Sequence, residues 1–232
     1  MCGRFALTSD PTSLRRTFGY EEQPNFPPRY NIAPTQPIAI VTGERDAEGG
    51  LRRRFRLVRW GFLPGFVKQA DDFPLIINAR AETATVKPSF RNALRRRRCL
   101  VPADAYYEWL RFRVDGKTAR RAFLFQRADG KPMGLAGLWE PYLSPDGSEI
   151  DTACILTTVA NGATVAVHER MPVIIEGKDF ARWLDCDAVD VREAETLMKP
   201  ASEDALTFFE IGPAINKATA TGPSLQAPLQ RT

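Results

Sequence analysis

The apolar positions of this chain fall into short stretches that change rhythm often. Leu14 and Phe18 are spaced as on one helix face behind an Asp10-Pro11 pair, a cap followed by a proline suited to the first helical position. A helix is therefore expected from Asp10 to about Phe18. Lys87–Arg97, with Pro88 in its first turn, predicts a second helix, and Lys178–Leu184 and Asp190–Met198 predict two more. Alternating or β-branched stretches predict strands at Pro37–Thr42, Arg54–Trp60, Leu100–Val101, Tyr106–Val114, Ala122–Gln126, Met133–Trp139, Ala153–Thr158, Pro172–Ile175 and Leu206–Ile211. Asp115-Gly116 between two of these is a hairpin signal, and Asp129-Gly130 is a second turn. Pro24–Pro37 holds five prolines around Arg29–Ala33 and reads as an ordered, extended loop. The chain after Gly212 reads as loop. Strands that follow each other through turns, with helices inserted irregularly, point to an α+β fold on a mostly antiparallel sheet.

Composition narrows this picture only slightly. The 232 residues, 44% hydrophobic and 26% charged, suit a globular protein with a real core. No apolar run approaches the ~18–20 residues of a membrane-spanning helix, and the start lacks the apolar stretch of a secretory signal. A cytoplasmic location is expected, with the nucleoid or, in a eukaryote, the nucleus as the working site. No repeat or linker divides the chain. Cys2, Cys99, Cys154 and Cys186 are far apart and only one histidine is present, so no metal is expected. Nothing demands more than a monomer. GxGxxG and Walker patterns are absent, and no cofactor is expected. The net charge of +4 is mild, but arginines cluster at Arg52–Arg56, at Arg95–Arg98, and at Arg111, Arg113, Arg120 and Arg121. Arginine's planar fork suits phosphate. A solvated strand face and a helix C-terminus explain the first two clusters equally well.

The candidate chemistry begins at the second residue. The chain opens Met1-Cys2-Gly3-Arg4-Phe5. Loss of Met1 would leave Cys2 with a free α-amine beside its thiol. In model peptides these groups titrate near ~7.7–8.0 and ~8.5. The amine can condense with an aldehyde, and the thiol can close on the imine to a thiazolidine. Alternatively the thiol attacks a carbonyl with the amine as base. Three more polar groups sit in apolar runs. Asn78 lies in Leu75–Thr83, Glu108 between Tyr107 and Trp109, and His168, the sole histidine, in Val165–Pro172. Singly, each has a structural explanation: a helix cap, a solvent-facing strand residue, a satisfied core histidine. Together they supply what an aminothiol needs. Glu108 can move protons if its neighbours raise its pKa, His168 is a second acid or base, and Asn78 can orient nucleophile or substrate. Arg4 and Arg80 adjoin the set.

Six motifs occur in order: MCGRF at Met1–Phe5, PRYNIAPTQ at Pro28–Gln36, RWGFLP at Arg59–Pro64, INARAET at Ile77–Thr83, CLVPADAYYEW at Cys99–Trp109 and VHERMPVII at Val167–Ile175. With them the chain resembles the SOS response-associated peptidase (SRAP) family of abasic-site sensors, from residue 2 to about residue 220. The resemblance implies a single compact domain over residues 2–222, with a tail at 223–232, built on a β-rich, barrel-like core with peripheral helices and a basic groove. It implies that Cys2, once Met1 is gone, captures the ring-opened aldehyde of an abasic site in single-stranded DNA as a thiazolidine, shielding the lesion in the DNA damage response. It further implies catalytic roles for Asn78, Glu108 and His168, and DNA contacts at Arg4, Arg80, Asn31, Pro34, Trp60 and Phe66. The family name adds a peptidase activity that would remove Met1, and replication-fork proteins are the partners implied. Phe66 stands where the family often has tryptophan, Ala105 where glycine is common, and Lys68–Phe73 matches none of the motifs. Two other functions fit parts of the sequence. An N-terminal-nucleophile amidohydrolase or glutaminase would use Cys2 but give His168 and Glu108 no necessary role. A non-covalent single-strand DNA binder would need only the arginines.

Overall fold

The structure, a computed structural model, describes residues 2–230. The chain enters along β1 (Phe5–Leu7) and turns into α1 (Pro11–Phe18). Asp10 caps that helix by accepting from the Ser13 N–H, and Gly19 ends it at φ 71°, a left-handed conformation that glycine adopts without strain. The proline-rich stretch is not all loop, because its Arg29–Ile32 forms β2 against β1. The long β3 (Pro37–Arg45) and β4 (Leu51–Trp60) form a hairpin. After them come β5 (Asn78–Arg80), the one-turn α2 (Ala81–Ala84) and α3 (Pro88–Arg96), and then β6 (Arg98–Ala103). The expected hairpin follows as β7 (Ala105–Val114) and β8 (Lys117–Arg127), turning on Asp115 and Gly116, both at positive φ. Then come β9 (Met133–Leu143), β10 (Glu149–Val159), β11 (Arg170–Pro172), β12 (Ile174–Ile175), α4 (Phe180–Leu184), α5 (Val191–Glu195) and β13 (Leu206–Ile211).

Two sheets result. In the larger, β10, β4, β3, β6 and β9 pair in that order, and β9 pairs back onto β10, closing a five-stranded barrel. All its pairings are antiparallel except β10 with β4, so the barrel is mixed. Ile38, Ile40, Val58, Leu100, Leu138 and Ile155 fill the core, with Cys99 and Cys154 fully buried among them. The smaller sheet runs β13-β8-β7-β1-β2 and is antiparallel throughout. Alternation along its strands splits its side chains. Phe5, Tyr106 and Phe125 face the barrel core, while Ala6, Tyr107 and Leu124 face a second cluster roofed by Ile215 and Leu225. The chain after Gly212, read as loop from the sequence, thus contains two 3-10 turns, Pro213–Asn216 and Pro223–Gln226, that cover this face. Residues 231 and 232 of the expected tail lie outside the described residues. Among the described residues no helix is long and apolar enough to cross a membrane.

The stretch read as one strand at Pro172–Ile175 is divided. β10 and β9 pair along Glu149–Ile155 and then separate. Residues 170–175 fill the gap, β11 pairing with β10 and β12 with β9, both antiparallel. On its other side the same end of β10 holds β5 in parallel, with Thr157 opposite both Arg80 and Pro172. This wedge brings the Asn78 segment and the His168 segment to one end of the barrel.

Candidate active site

Cys2 is fully buried just before β1, which runs between β7 and β2 in the smaller sheet. Phe5 pairs with Tyr106, and the Tyr107 N–H donates to the Arg4 carbonyl at 2.9 Å. Continuing that register sets Gly3 opposite Glu108. From the barrel side, the Asn78 Nδ2 donates to the Cys2 carbonyl at 3.1 Å and to the Ile155 carbonyl at 3.4 Å. The anchor is on the carbonyl of Cys2, so it does not depend on what precedes that residue. The Asn78 Oδ1 is buried and accepts no hydrogen bond among the described residues. Met1, whose loss the expected chemistry requires, lies outside the described residues.

Glu108 is buried, and its Oε2 lies 3.9 Å from the His168 Nε2. Burial pushes the Glu108 carboxyl above the usual carboxylate range, and His168 draws it part of the way back. Burial likewise pushes the Cys2 thiol up, with the Glu108 charge adding to the effect. Cys2 is thus held as a thiol, not a thiolate. Tyr106 is driven up by burial first and then by Cys2 and Glu108. His168 follows a turn at residues 161–167, tied by Asn161, whose Oδ1 accepts from the Thr164 N–H at 3.0 Å and hydroxyl at 2.8 Å. The Arg170 N–H donates to the His168 Nδ1 at 2.9 Å. A backbone N–H can only donate, so this shorter contact favours Nδ1 as the acceptor over its donating to the Arg170 carbonyl, 3.2 Å away. In the neutral ring the proton then sits on Nε2, facing Glu108.

Glu108 and His168 open on a cavity of about 250 Å³ lined also by Gly3, Arg4, Trp109, Arg111, Arg120 and Asn216. Arg4 is half-buried. It donates to the Asn31 Oδ1 at 2.6 Å and the Ile215 carbonyl at 3.1 Å, and it lies 6.0 Å from the Trp109 ring centre. Burial pulls its pKa down. The structure therefore brings Cys2, Asn78, Glu108, His168 and Arg4 together. Arg80 follows Asn78 on β5, exposed and without an ion pair among the described residues.

The remaining sequence-predicted DNA contacts are placed differently. Trp60 is fully buried, edge-on to Phe5 at 5.2 Å, with its indole N–H donating to the Ile77 carbonyl at 3.0 Å. It belongs to the core and offers no ring face to a nucleic acid. Asn31 is also buried. Besides Arg4, it binds the Lys217 and Ala220 carbonyls at 3.0 and 2.8 Å, so it ties the C-terminal segment down and has no amide group to spare for DNA. Pro34 is half-buried in the turn before β3. Phe66 is 59% exposed on the loop after β4, its ring 6.2 Å from Phe73. Lys68–Phe73, unmatched in sequence, belongs to the same loop, held where the Tyr142 hydroxyl donates to the Lys68 carbonyl at 3.1 Å.

The basic clusters also separate. Arg98 is buried with four hydrogen bonds to the carbonyls of Leu94, Trp183, Asp185 and Val189, and Arg97 pairs with Glu140. Arg52, Arg54 and Arg56 are neutralised by Glu21, Glu22, Glu44, Asp46 and Asp151. Two residues of the motifs explain each other. Arg170 grips Glu82 through two hydrogen bonds of 2.7 and 2.9 Å and the Thr157 carbonyl through one of 2.6 Å. The sequence holds no local sign of that pair. It does hold a sign of Arg111 and Arg120 as partners, because each is four residues from the Asp115-Gly116 turn and a two-residue hairpin sets them opposite. Among the described residues no cluster of three or more His, Cys, Asp or Glu side chains could hold a metal ion.

Known proteins show the same organisation. The family model described as SOS response associated peptidase (SRAP) matches residues 1–218. The abasic site processing protein YoqW of Bacillus subtilis is 32% identical over 228 residues, 97% of this chain and 98% of its own. The abasic site processing protein HMCES of Rattus norvegicus is 26% identical, over 98% of this chain and 76% of its own. Among crystal structures, a Bacteroides thetaiotaomicron protein matches 99% of this chain at a TM-score of 0.83 and 21% identity, which speaks for the fold alone. One from Bordetella bronchiseptica covers 91% of this chain and all of its own at a TM-score of 0.75 and 28% identity.

Proposed function

The chain belongs to the SOS response associated peptidase family, and from that we propose that it processes abasic sites in single-stranded DNA by covalent capture on Cys2. One observation carries the reading. Asn78 holds the Cys2 backbone, and Glu108 with His168 lies beside it, on a cavity with an arginine-rich mouth.

An abasic deoxyribose is mostly a closed hemiacetal and must open before it can react. A carboxyl held above its usual range is still partly protonated when ordinary carboxylates are not, so Glu108 suits the proton transfers of ring opening. The α-amine of Cys2, free once Met1 is removed, then attacks the aldehyde carbon. The carbinolamine loses water to an imine. The thiol adds to the imine carbon, forming the C–S bond, and its proton passes to the nitrogen. The net change is the loss of one water. His168, with its Nε2 proton toward Glu108, supports the opened sugar's hydroxyl and the proton traffic of imine formation. The thiol needs no prior ionisation for this closure, in keeping with a buried Cys2 whose pKa is raised. Release of Met1 by the chain itself is the peptidase activity that belongs to this reading.

Intact-protein mass spectrometry, before and after mixing with a single-stranded oligonucleotide bearing one abasic site, tests it. The expected result is a chain lacking Met1 that gains the mass of the oligonucleotide less one water. A trimmed chain that forms no adduct overturns covalent capture and leaves Cys2 to an acyl-transfer role. Cys2→Ala is expected to lose the adduct and keep its affinity for intact single-stranded DNA.

A further inference from the structure

We propose that Arg111 and Arg120, with Arg4, form a phosphate site at the mouth of the cavity that takes the DNA backbone beside the captured sugar, an inference that rests on the DNA reading above. Arg111 and Arg120 are direct cross-strand partners on β7 and β8, and both line the cavity. Like charges set opposite each other on a sheet repel and destabilise the pairing. Both are exposed, and neither makes an ion pair or hydrogen bond among the described residues. Arg120 also helps pull down the pKa of Arg4, whose charge therefore adds to theirs.

Several other arginines of the molecule are neutralised. Arg121, the next residue on β8, points the other way and pairs with Glu210. Arg56, Arg97, Arg127, Arg170 and Arg182 all meet carboxylates. Arg111 and Arg120 stand without an acid on the same hairpin, beside a cavity. An incoming anion would relieve their repulsion, and a guanidinium fork matches phosphate.

The position fits a strand held beside the reaction centre. β1 pairs with β7 at Phe5 and Ala6, and beyond the Tyr107 N–H, which donates to the Arg4 carbonyl, the edge of β7 carries no further backbone hydrogen bond to the N-terminal segment among the described residues. Alternation puts Glu108 on one face of β7 and Trp109 and Arg111 on the other, and the cavity touches all three. It therefore wraps the open edge. A phosphate on the arginine face lets the attached sugar reach over that edge to Glu108 and Cys2. Trp109, fixed by its indole N–H donating to the Asn216 Oδ1 at 2.7 Å, forms the floor between.

The test is the salt dependence of binding to an undamaged fluorescent single-stranded oligonucleotide, which needs no covalent chemistry. Each phosphate neutralised on a single strand contributes ~0.7 to the slope of log affinity against log salt. R111Q/R120Q is expected to lose about 0.7 of that slope, for one phosphate, and R111K/R120K to retain it. With an abasic oligonucleotide, R111Q/R120Q should need roughly tenfold more DNA for half-maximal capture, with its maximal rate within about twofold of the parent's, as for lost ground-state binding. R95Q/R96Q, on the exposed end of α3, serves as a charge-matched control. An unchanged slope in R111Q/R120Q, or an equal loss in R95Q/R96Q, overturns the site while leaving the capture reading intact. Failure of the parent chain to bind single-stranded DNA overturns both.

Discussion

Glu108 sets stability against use within one side chain. Its carboxyl is buried beside Cys2 and His168, and that burial raises its pKa. A carboxyl whose pKa is higher folded than unfolded binds more protons in the native state. Its contribution favours the fold below the ordinary carboxylate range and is lost as pH rises from there through the raised value. Glutamine fills nearly the same volume and carries no charge at any pH. E108Q is therefore expected to be more stable than the parent at neutral pH, with the difference closing as pH falls toward ~4. Urea unfolding across that range checks the sign. The same variant should capture abasic sites at least ~100-fold more slowly, the usual scale of general acid–base catalysis. Its affinity for intact single-stranded DNA should hardly change. An equal loss of rate and affinity would remove Glu108 from proton transfer.

At the scale of elements, the site is assembled by a strap. Glu82, on α2 just after β5, binds Arg170 at the start of β11, and the Arg170 N–H fixes the His168 Nδ1. The Asn78 segment is thus tied to the His168 segment by a charged pair as well as by their shared neighbour, β10. The chain has one histidine, so an imidazole ¹⁵N spectrum reports this ring alone. In the parent the spectrum should show the tautomer protonated on Nε2. In E82Q the grip on Arg170 weakens and the spectrum should shift toward mixed tautomers, with capture slowed several-fold. The stability cost should be only about 1 kcal/mol, because Glu82 is 43% exposed. An unchanged spectrum would confine the pair to a structural role. This strap also marks where the sequence stops being legible. α1 could be read because Asp10 and Pro11 punctuate its start, and the β7–β8 hairpin because Asp115-Gly116 sits between alternating runs. β1, β2 and β5 have three or four residues each, too few for a periodicity. The parallel pairing of β10 with β5 joins residues nearly eighty positions apart, and no local pattern encodes it.

The whole molecule has a front and a roof, and the roof is the part that the sequence concealed most. Asn78, Glu108 and His168 stand out in the sequence as polar groups in apolar runs, and Cys2 as the residue after Met1, and the structure brings the four together. Asn31 and Trp60 looked like DNA contacts by their motifs but are buried, since a residue type and a neighbourhood do not tell which way a side chain faces. What Asn31 grips instead is the C-terminal segment, through the Lys217 and Ala220 carbonyls. That segment also receives Arg4 on the Ile215 carbonyl and holds Trp109 through Asn216. Farther on, Leu225 is buried against the sheet and the Gln226 Nε2 donates to the Tyr107 hydroxyl at 3.1 Å. The first half of the roof thus positions the cavity, and the second half mainly buries apolar surface. Two truncations separate these roles. Ending the chain after Gly222 removes Leu225 and Gln226, at a cost of about 2 kcal/mol and a few degrees in Tm. It should leave single-strand affinity within about twofold, because the Arg4, Asn31 and Trp109 contacts remain. Ending it after Gly212 also removes Ile215 and Asn216, so about 4 kcal/mol and roughly 10 °C should be lost. Affinity should then fall about tenfold or more as Arg4 and Trp109 come loose. Both variants keep every residue assigned to bond-making, so capture at saturating DNA should persist below their melting temperatures. If the shorter cut after Gly222 weakened binding as much as the longer one, the roof would act through stability alone, and its hold on Arg4 would have no part in recognising DNA.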